Sequence, residues 1–225
     1  MLCAVAALGS QSRGALLAIG AMFSVLWWRS KNKLTIGLAL VLMVPVVLAF
    51  LPDSWHARME TIGSYGEDAS ALGRINAWTM AFNIAKDRIT GAGFASAAEV
   101  IYARYAPDPN NVLVAHSIYF QILGEHGFIG LALYLLMWAL TYTAAGRIRA
   151  LAAGRGVESE WVVSLASMLQ VSMVGFAVGG AFLSLAYWDL PYYMLVLVYV
   201  LRAYATQELA THRQQALPNR VVLQR

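Results

Sequence analysis

Charge is what this chain has least of. Only 12% of its 225 residues are Asp, Glu, Lys or Arg, against 60% apolar residues, and the mean hydropathy is +0.59. That balance excludes an ordinary soluble domain, in which about a quarter of the residues are charged. Cysteine is nearly absent as well. Cys3 stands alone, which allows no internal disulfide and no thiolate metal cluster. Familiar catalytic motifs are missing: there is no HExxH, no P-loop and no G-x-S-x-G elbow. No aspartate-rich pair is present to hold a divalent ion over phosphates, and Asp108, followed by Pro109, is an isolated carboxylate. Any transfer chemistry is therefore expected to run without a metal or another cofactor.

What is present is long apolar sequence. Crossing about 30 Å of hydrocarbon takes roughly 20 apolar residues per helix. Leu34–Leu51 and Gly127–Ala145 qualify, followed by Trp161–Leu185 and the shorter Pro191–Tyr204. Gly14–Trp28 also reads as a span, preceded by the polar Ser10-Gln11-Ser12-Arg13. The chain opens in apolar sequence, Leu2–Leu8, with no basic leader and no small-residue cleavage site. It reads as the tail of an earlier helix rather than a signal peptide, and so as the C-terminal half of a larger polytopic protein.

The formal charge of +4 does not indicate nucleic acid. Arg29, Lys31 and Lys33 follow one span; Arg147, Arg149 and Arg155 follow another; Arg202, Arg213, Arg220 and Arg225 follow the last. Basic clusters on alternate loops are the positive-inside signature. With those clusters in the cytoplasm, Arg13, the Pro52–Gly127 region and the Ser184–Pro191 turn fall on the opposite face. Trp27, Trp28, Trp161 and Trp188 fall at interfaces, where amphipathic rings settle.

The Pro52–Gly127 region is polar but patterned. Over Leu72–Ile89, spacings of three and four between Ile75, Trp78, Ala81, Phe82 and Ala85 predict an amphipathic helix. Thr90-Gly91-Ala92-Gly93 ends it. Ser96–Tyr105 predicts a second short helix, and Val112–Leu123 a third, broken at Gly124-Glu125-His126-Gly127. Short helices between membrane spans suggest a lid over a cavity.

Three residues stand out. An arginine near membrane depth is costly unless paired or facing water, so Arg13, among small polar neighbours, is a functional candidate; the alternative is snorkelling to the headgroups. The guanidinium of Arg74 offers a planar fork of donors suited to diphosphate oxygens. It is otherwise a solvated arginine, or one paired with Glu67 or Asp68. His116 heads a helix with a polar stripe of Ser117, Gln121 and Glu125. Its imidazole suits a general base taking a proton from a hydroxyl, or else simply hydrogen-bonds in the loop. His126 reads as a turn residue, and His56 and His212 as solvated.

In order, Ser10-Gln11-Ser12-Arg13-Gly14-Ala15, Gly73-Arg74 with Trp78, Gly91-Ala92-Gly93, His116-Ser117 and Gly124-Glu125-His126-Gly127 with Gly130 resemble the O-antigen ligase and polymerase superfamily of bacterial inner-membrane proteins. The resemblance covers roughly residues 5 to 145. Ser117 stands where the family usually has asparagine after the histidine, and Ile89-Thr90 where a proline often precedes the glycines. The opening motif looks most like a branch of O-glycosylation ligases associated with exosortase A systems.

The resemblance implies an all-α, polytopic transmembrane bundle with a helical periplasmic loop over its outer face. Residues 1–51 would be transmembrane helices, 52–127 the periplasmic region carrying the site, 128–205 further transmembrane helices and 206–225 a cytoplasmic tail. It also implies transfer of a glycan from an undecaprenyl diphosphate carrier to a lipid or protein hydroxyl, at the periplasmic side of the inner membrane. Arg13 and Arg74 would grip the diphosphate, and His116 would deprotonate the acceptor, with inversion. Arg104, Tyr105 and Glu125 are weaker candidates. The alternatives are a polymerase of the same superfamily, a transporter or flippase, and a non-catalytic partner in glycan export. Polar residues crowding one membrane face, without related halves, disfavour transport.

Overall fold

The computed structural model describes residues 12–30, 32–49, 69–94, 96–154 and 159–215. Among the described residues every regular element is an α-helix. They are α1 (Arg13–Arg29), α2 (Lys33–Ala49), α3 (Ala69–Asp87), α4 (Glu99–Tyr105), α5 (Ile118–Ala152), α6 (Glu160–Gly180) and α7 (Asp189–Gln215). By length and composition α5 and α6 can cross a membrane. At 17 described residues each, α1 and α2 lie at the lower end of the roughly 17–25 residues that a spanning helix takes.

The chain divides into two compact units, residues 1–136 with 174–187 and residues 137–173 with 188–225. In the first, Ser12 caps α1, its hydroxyl accepting the Ala15 N–H at 3.3 Å. The Trp27 indole N–H donates to the Lys33 carbonyl at 2.9 Å, fastening α1 to the start of α2. Gly175 and Gly179, four apart on α6, leave room for Met22 and Ala18 of α1. This is the small-residue contact by which membrane helices approach closely.

In the second unit, Gln170 donates to the Tyr142 carbonyl at 2.9 Å. Trp161 meets Tyr204 with ring centroids 5.0 Å apart. Ala145, Ile148, Ala166, Leu169, Val198 and Leu201 are buried.

The structure moves several expected boundaries. Helix α3 begins before Leu72 and stops at Asp87, and α4 starts at Glu99 rather than Ser96. The expected Val112–Leu123 helix begins only at Ile118, then runs on into the membrane-length part of α5. Its break falls at one residue, Gly127, with φ 65° and ψ −164°. The apolar face expected for α3 is also corrected. Ala77, Met80, Ala81, Ile84 and Ala85 are buried, whereas Ile75 and Phe82 are exposed. The helix has apolar residues on nearly every side, so the period could not select the inward face.

Candidate functional site

Helix α3 straps the segment leading to His116. Asn76 donates to the carbonyls of Asp108 and Asn111 at 2.9 and 3.0 Å, and its own carbonyl accepts the Asp108 N–H at 2.9 Å. The Trp78 indole donates to the Ala115 carbonyl at 2.6 Å, and Asn83 to that of Tyr105 at 2.9 Å. From α4, the buried Tyr102 hydroxyl donates to the Leu113 carbonyl. These bonds satisfy main-chain groups of a non-helical segment, which would be costly to bury unpaired. They also explain why the segment before Ile118 is not helical. A Cβ on Gly73 would meet the tip of the Leu113 side chain, which would have to shift.

The two glycine motifs meet each other. The amides of Ala92 and Gly93 donate to the carbonyls of Gly124 and Glu125, both at 2.9 Å. Those carbonyls end the short helical segment before Gly127 and would otherwise lack partners. Gly91 and Gly127 both have positive φ, and a Cβ on either would run into the other's backbone. Glycine supplies this conformation at no steric cost.

His116 sits where three elements converge. It is a non-glycine residue with φ 44°, a left-handed conformation that histidine enters more readily than most residues. Its N–H donates to the Ser184 hydroxyl at 2.8 Å. Next to it Ser117 and Ile118 are buried, Ile118 against Gly180, and Phe120 stacks on Trp78 at 4.9 Å, 6° from parallel. Burial, then the nearby Arg74 charge, holds the His116 pKa below the ordinary imidazole value. The ring is thus neutral at pH 7, the form a general base needs.

The partly buried Arg74 has no hydrogen-bond partner for its buried Nε among the described residues. Glu67 and Asp68, weighed as its partners, lie outside those residues. A buried guanidinium donor without a partner is costly and suits a site that receives an anion.

The rest of the polar stripe faces the 184–187 turn. The Gln121 side-chain carbonyl accepts the Ala186 N–H at 3.3 Å, and the Tyr119 hydroxyl donates to the Ala177 carbonyl at 2.8 Å. The Tyr187 hydroxyl donates to the buried Glu125 carboxylate and lies 2.8 Å from His126 Nε2. Phe94 packs edge-on against the rings of His126 and Tyr187. His126 is therefore a member of a polar cluster, not only a turn residue.

Arg74 and His116 are brought together, with Glu125 one short helix away. Arg13 is the first residue of α1, and its side chain lies outside the described residues. The adjacent Gly14 packs on Phe182, two residues from Ser184. Arg104 and Tyr105 are not gathered with the others. Both bond to Asp87, the arginine at 3.4 Å, and Asp87 ends α3 about 20 Å along the helix from Arg74. Ser184, Tyr187 and Asn76 carried no local sequence signal. Among the described residues no three His, Cys, Asp or Glu side chains gather as a metal-ligand set.

A family model described as O-antigen ligase matches residues 1–135, which hold the polar strap, both glycine motifs, Arg74 and His116. No curated protein and no solved structure matches significantly. A match over more than half of the sequence, on a chain whose described helices include two able to cross a membrane, shows that this protein belongs to the O-antigen ligase family.

Proposed function

We propose that this protein transfers a glycan from an undecaprenyl diphosphate carrier to an acceptor hydroxyl at the periplasmic face of the inner membrane. The observation that carries the reading is a partly buried Arg74, its Nε without a hydrogen-bond partner among the described residues, near enough to His116 for its charge to lower that ring's pKa. His116 takes the proton of the acceptor hydroxyl, whose oxygen attacks the anomeric carbon from the face opposite the leaving group. The bond from that carbon to the diphosphate oxygen breaks, the carrier diphosphate departs with the electron pair, and the new glycosidic bond is inverted. Arg74, with Arg13, holds the charge that develops on the diphosphate. Fixed donors aimed at developing charge are worth about 10²–10³ in rate each, so no metal is required.

In this reading the five apolar stretches are spans, the basic clusters are cytoplasmic and the strap over α3 faces the periplasm. The family includes ligases and polymerases, and the Ser10–Ala15 motif favours an O-glycosylation ligase. Transfer is measured in membranes containing the full-length protein, with carrier-linked donor and either a lipid, a protein or a second carrier-linked glycan as acceptor. Arg74→Ala and His116→Ala are expected to insert normally and lose transfer, with EDTA without effect. Survival of transfer in both variants would sink the reading. Product formed only on the second carrier-linked glycan would make the protein a polymerase.

A further inference from the structure

Helix α3 carries an apolar face that its packing leaves unused. Leu72, Ile75 and Phe82 are 47%, 52% and 45% exposed. With Thr79 and Lys86 they follow spacings of three and four, so they share one side of the helix, an arc of roughly 80°. The polar members of that arc do not make it a wet surface. Thr79 uses its hydroxyl on its own helix, donating to the Ile75 carbonyl at 2.8 Å. Lys86 lies with Nζ 5.8 Å from the Phe82 ring centroid, its stem along apolar surface as snorkelling lysines arrange it. A contiguous exposed apolar stripe marks a surface that a partner or lipid covers, and Leu72, Ile75 and Phe82 are not buried within the protein.

The face continues onto a helix of membrane length. Phe82 meets Phe128 edge-on, with ring centroids 6.0 Å apart and planes at 87°. Phe128 opens the part of α5 beyond Gly127, where Ile129, Leu133 and Leu136 are exposed at spacings of four and three. One exposed apolar surface therefore runs from α3 across Phe82 and Phe128 down α5. Arg74 and Trp78 flank it on the side toward His116, since Trp78 stacks on Phe120.

We propose that α3 is an in-plane membrane helix, its Leu72, Ile75 and Phe82 face set among phospholipid acyl chains and continuous with the lipid-facing side of α5. The site then stands at headgroup level, open to lipid from the side rather than capped by a water-exposed lid. This rests on the reading of α5 as a membrane span.

The test uses the full-length protein in phospholipid vesicles, with Cys3→Ser and single nitroxide-labelled cysteines at positions 72, 75 and 82. Leu133→Cys on α5 and Asn110→Cys on the strap serve as references. Power saturation compares collision with oxygen, which partitions into lipid, and with a water-soluble nickel chelate. Labels at 72, 75, 82 and 133 are expected to favour oxygen, and the label at 110 nickel. If 133 favours oxygen while 72, 75 and 82 favour nickel, the proposal fails and the span reading stands. If 133 also favours nickel, the span reading itself fails. Spin–spin broadening at 75 or 82 that vanishes on dilution with unlabelled protein would assign the face to a second copy and overturn the proposal. Without any substitution, phospholipids with a photoreactive group in the acyl chain are expected to label the tryptic peptide Ile75–Lys86; no adduct there, with adducts on α5, would equally overturn it.

Discussion

The Arg74 charge lowers the pKa of His116, although the two come from different elements joined by the strap over α3. In the proposed mechanism Arg74 would both offer donors to the diphosphate and, with burial, favour the neutral ring of His116. Burial is the larger cause of the shift. The acid limb of transfer is therefore expected below the ordinary histidine value of about 6.5, with activity level above it. In Arg74→Gln the limb of the residual activity moves up, though only part of the way, because burial remains. Stability linked to this group follows the same sign. It is full above about 6.5 and declines as the pH falls further, because the unfolded chain takes up the proton first. The measurement is a pH–rate profile for both proteins; an unmoved limb in Arg74→Gln would refute the electrostatic link.

Ser184 holds the His116 backbone in its left-handed conformation through the bond at 2.8 Å. Ser184→Ala is expected to lower kcat by roughly tenfold to a hundredfold, the scale of a small misplacement of a reacting group. Ser184→Thr, which keeps the acceptor, should recover most of it. Equal rates for the alanine and threonine variants would show that the hydroxyl does not position the base.

Three glycines with positive φ separate strain from collision. At Gly93 a Cβ has open space, whereas at Gly91 and Gly127 it meets backbone. Gly93→Ala should cost about 1–2 kcal/mol, the left-handed penalty alone. Gly91→Ala and Gly127→Ala should cost clearly more, because backbone cannot yield as a flexible side chain does. Thermal loss of monodisperse protein in detergent ranks the three, and an order with Gly93→Ala worst would contradict the close approach.

Tyr187 ties Glu125 to His126. Tyr187→Phe leaves a buried carboxylate short of a donor, at about 1–3 kcal/mol. Glu125→Gln should cost much less on that background than alone. A double-mutant cycle on thermal stability reads the coupling directly, and additive effects would show that the two groups do not share the bond.

The helices and their punctuation were legible because apolar runs and glycines act locally. Residue type and resemblance to a family mark Arg74 and His116 as candidates. What was not legible depended on distant partners. Tyr187 and Ser184 reach the site from the turn after α6, and nothing near them in sequence marks them. The Val112–Leu123 stretch reads as one helix, yet residues 112–117 are not helical, because Trp78 and Tyr102 claim the carbonyls of Ala115 and Leu113. The inward face of α3 is not legible because apolar residues occur on nearly every side of the helix.

The joint at residues 91–93 and 124–127 is made of main chain alone, so it reads no side chain. Everything around it can drift in sequence while the fastening keeps its shape, provided Gly91 and Gly127 stay. Substitutions around it therefore leave the frame that positions His116 intact.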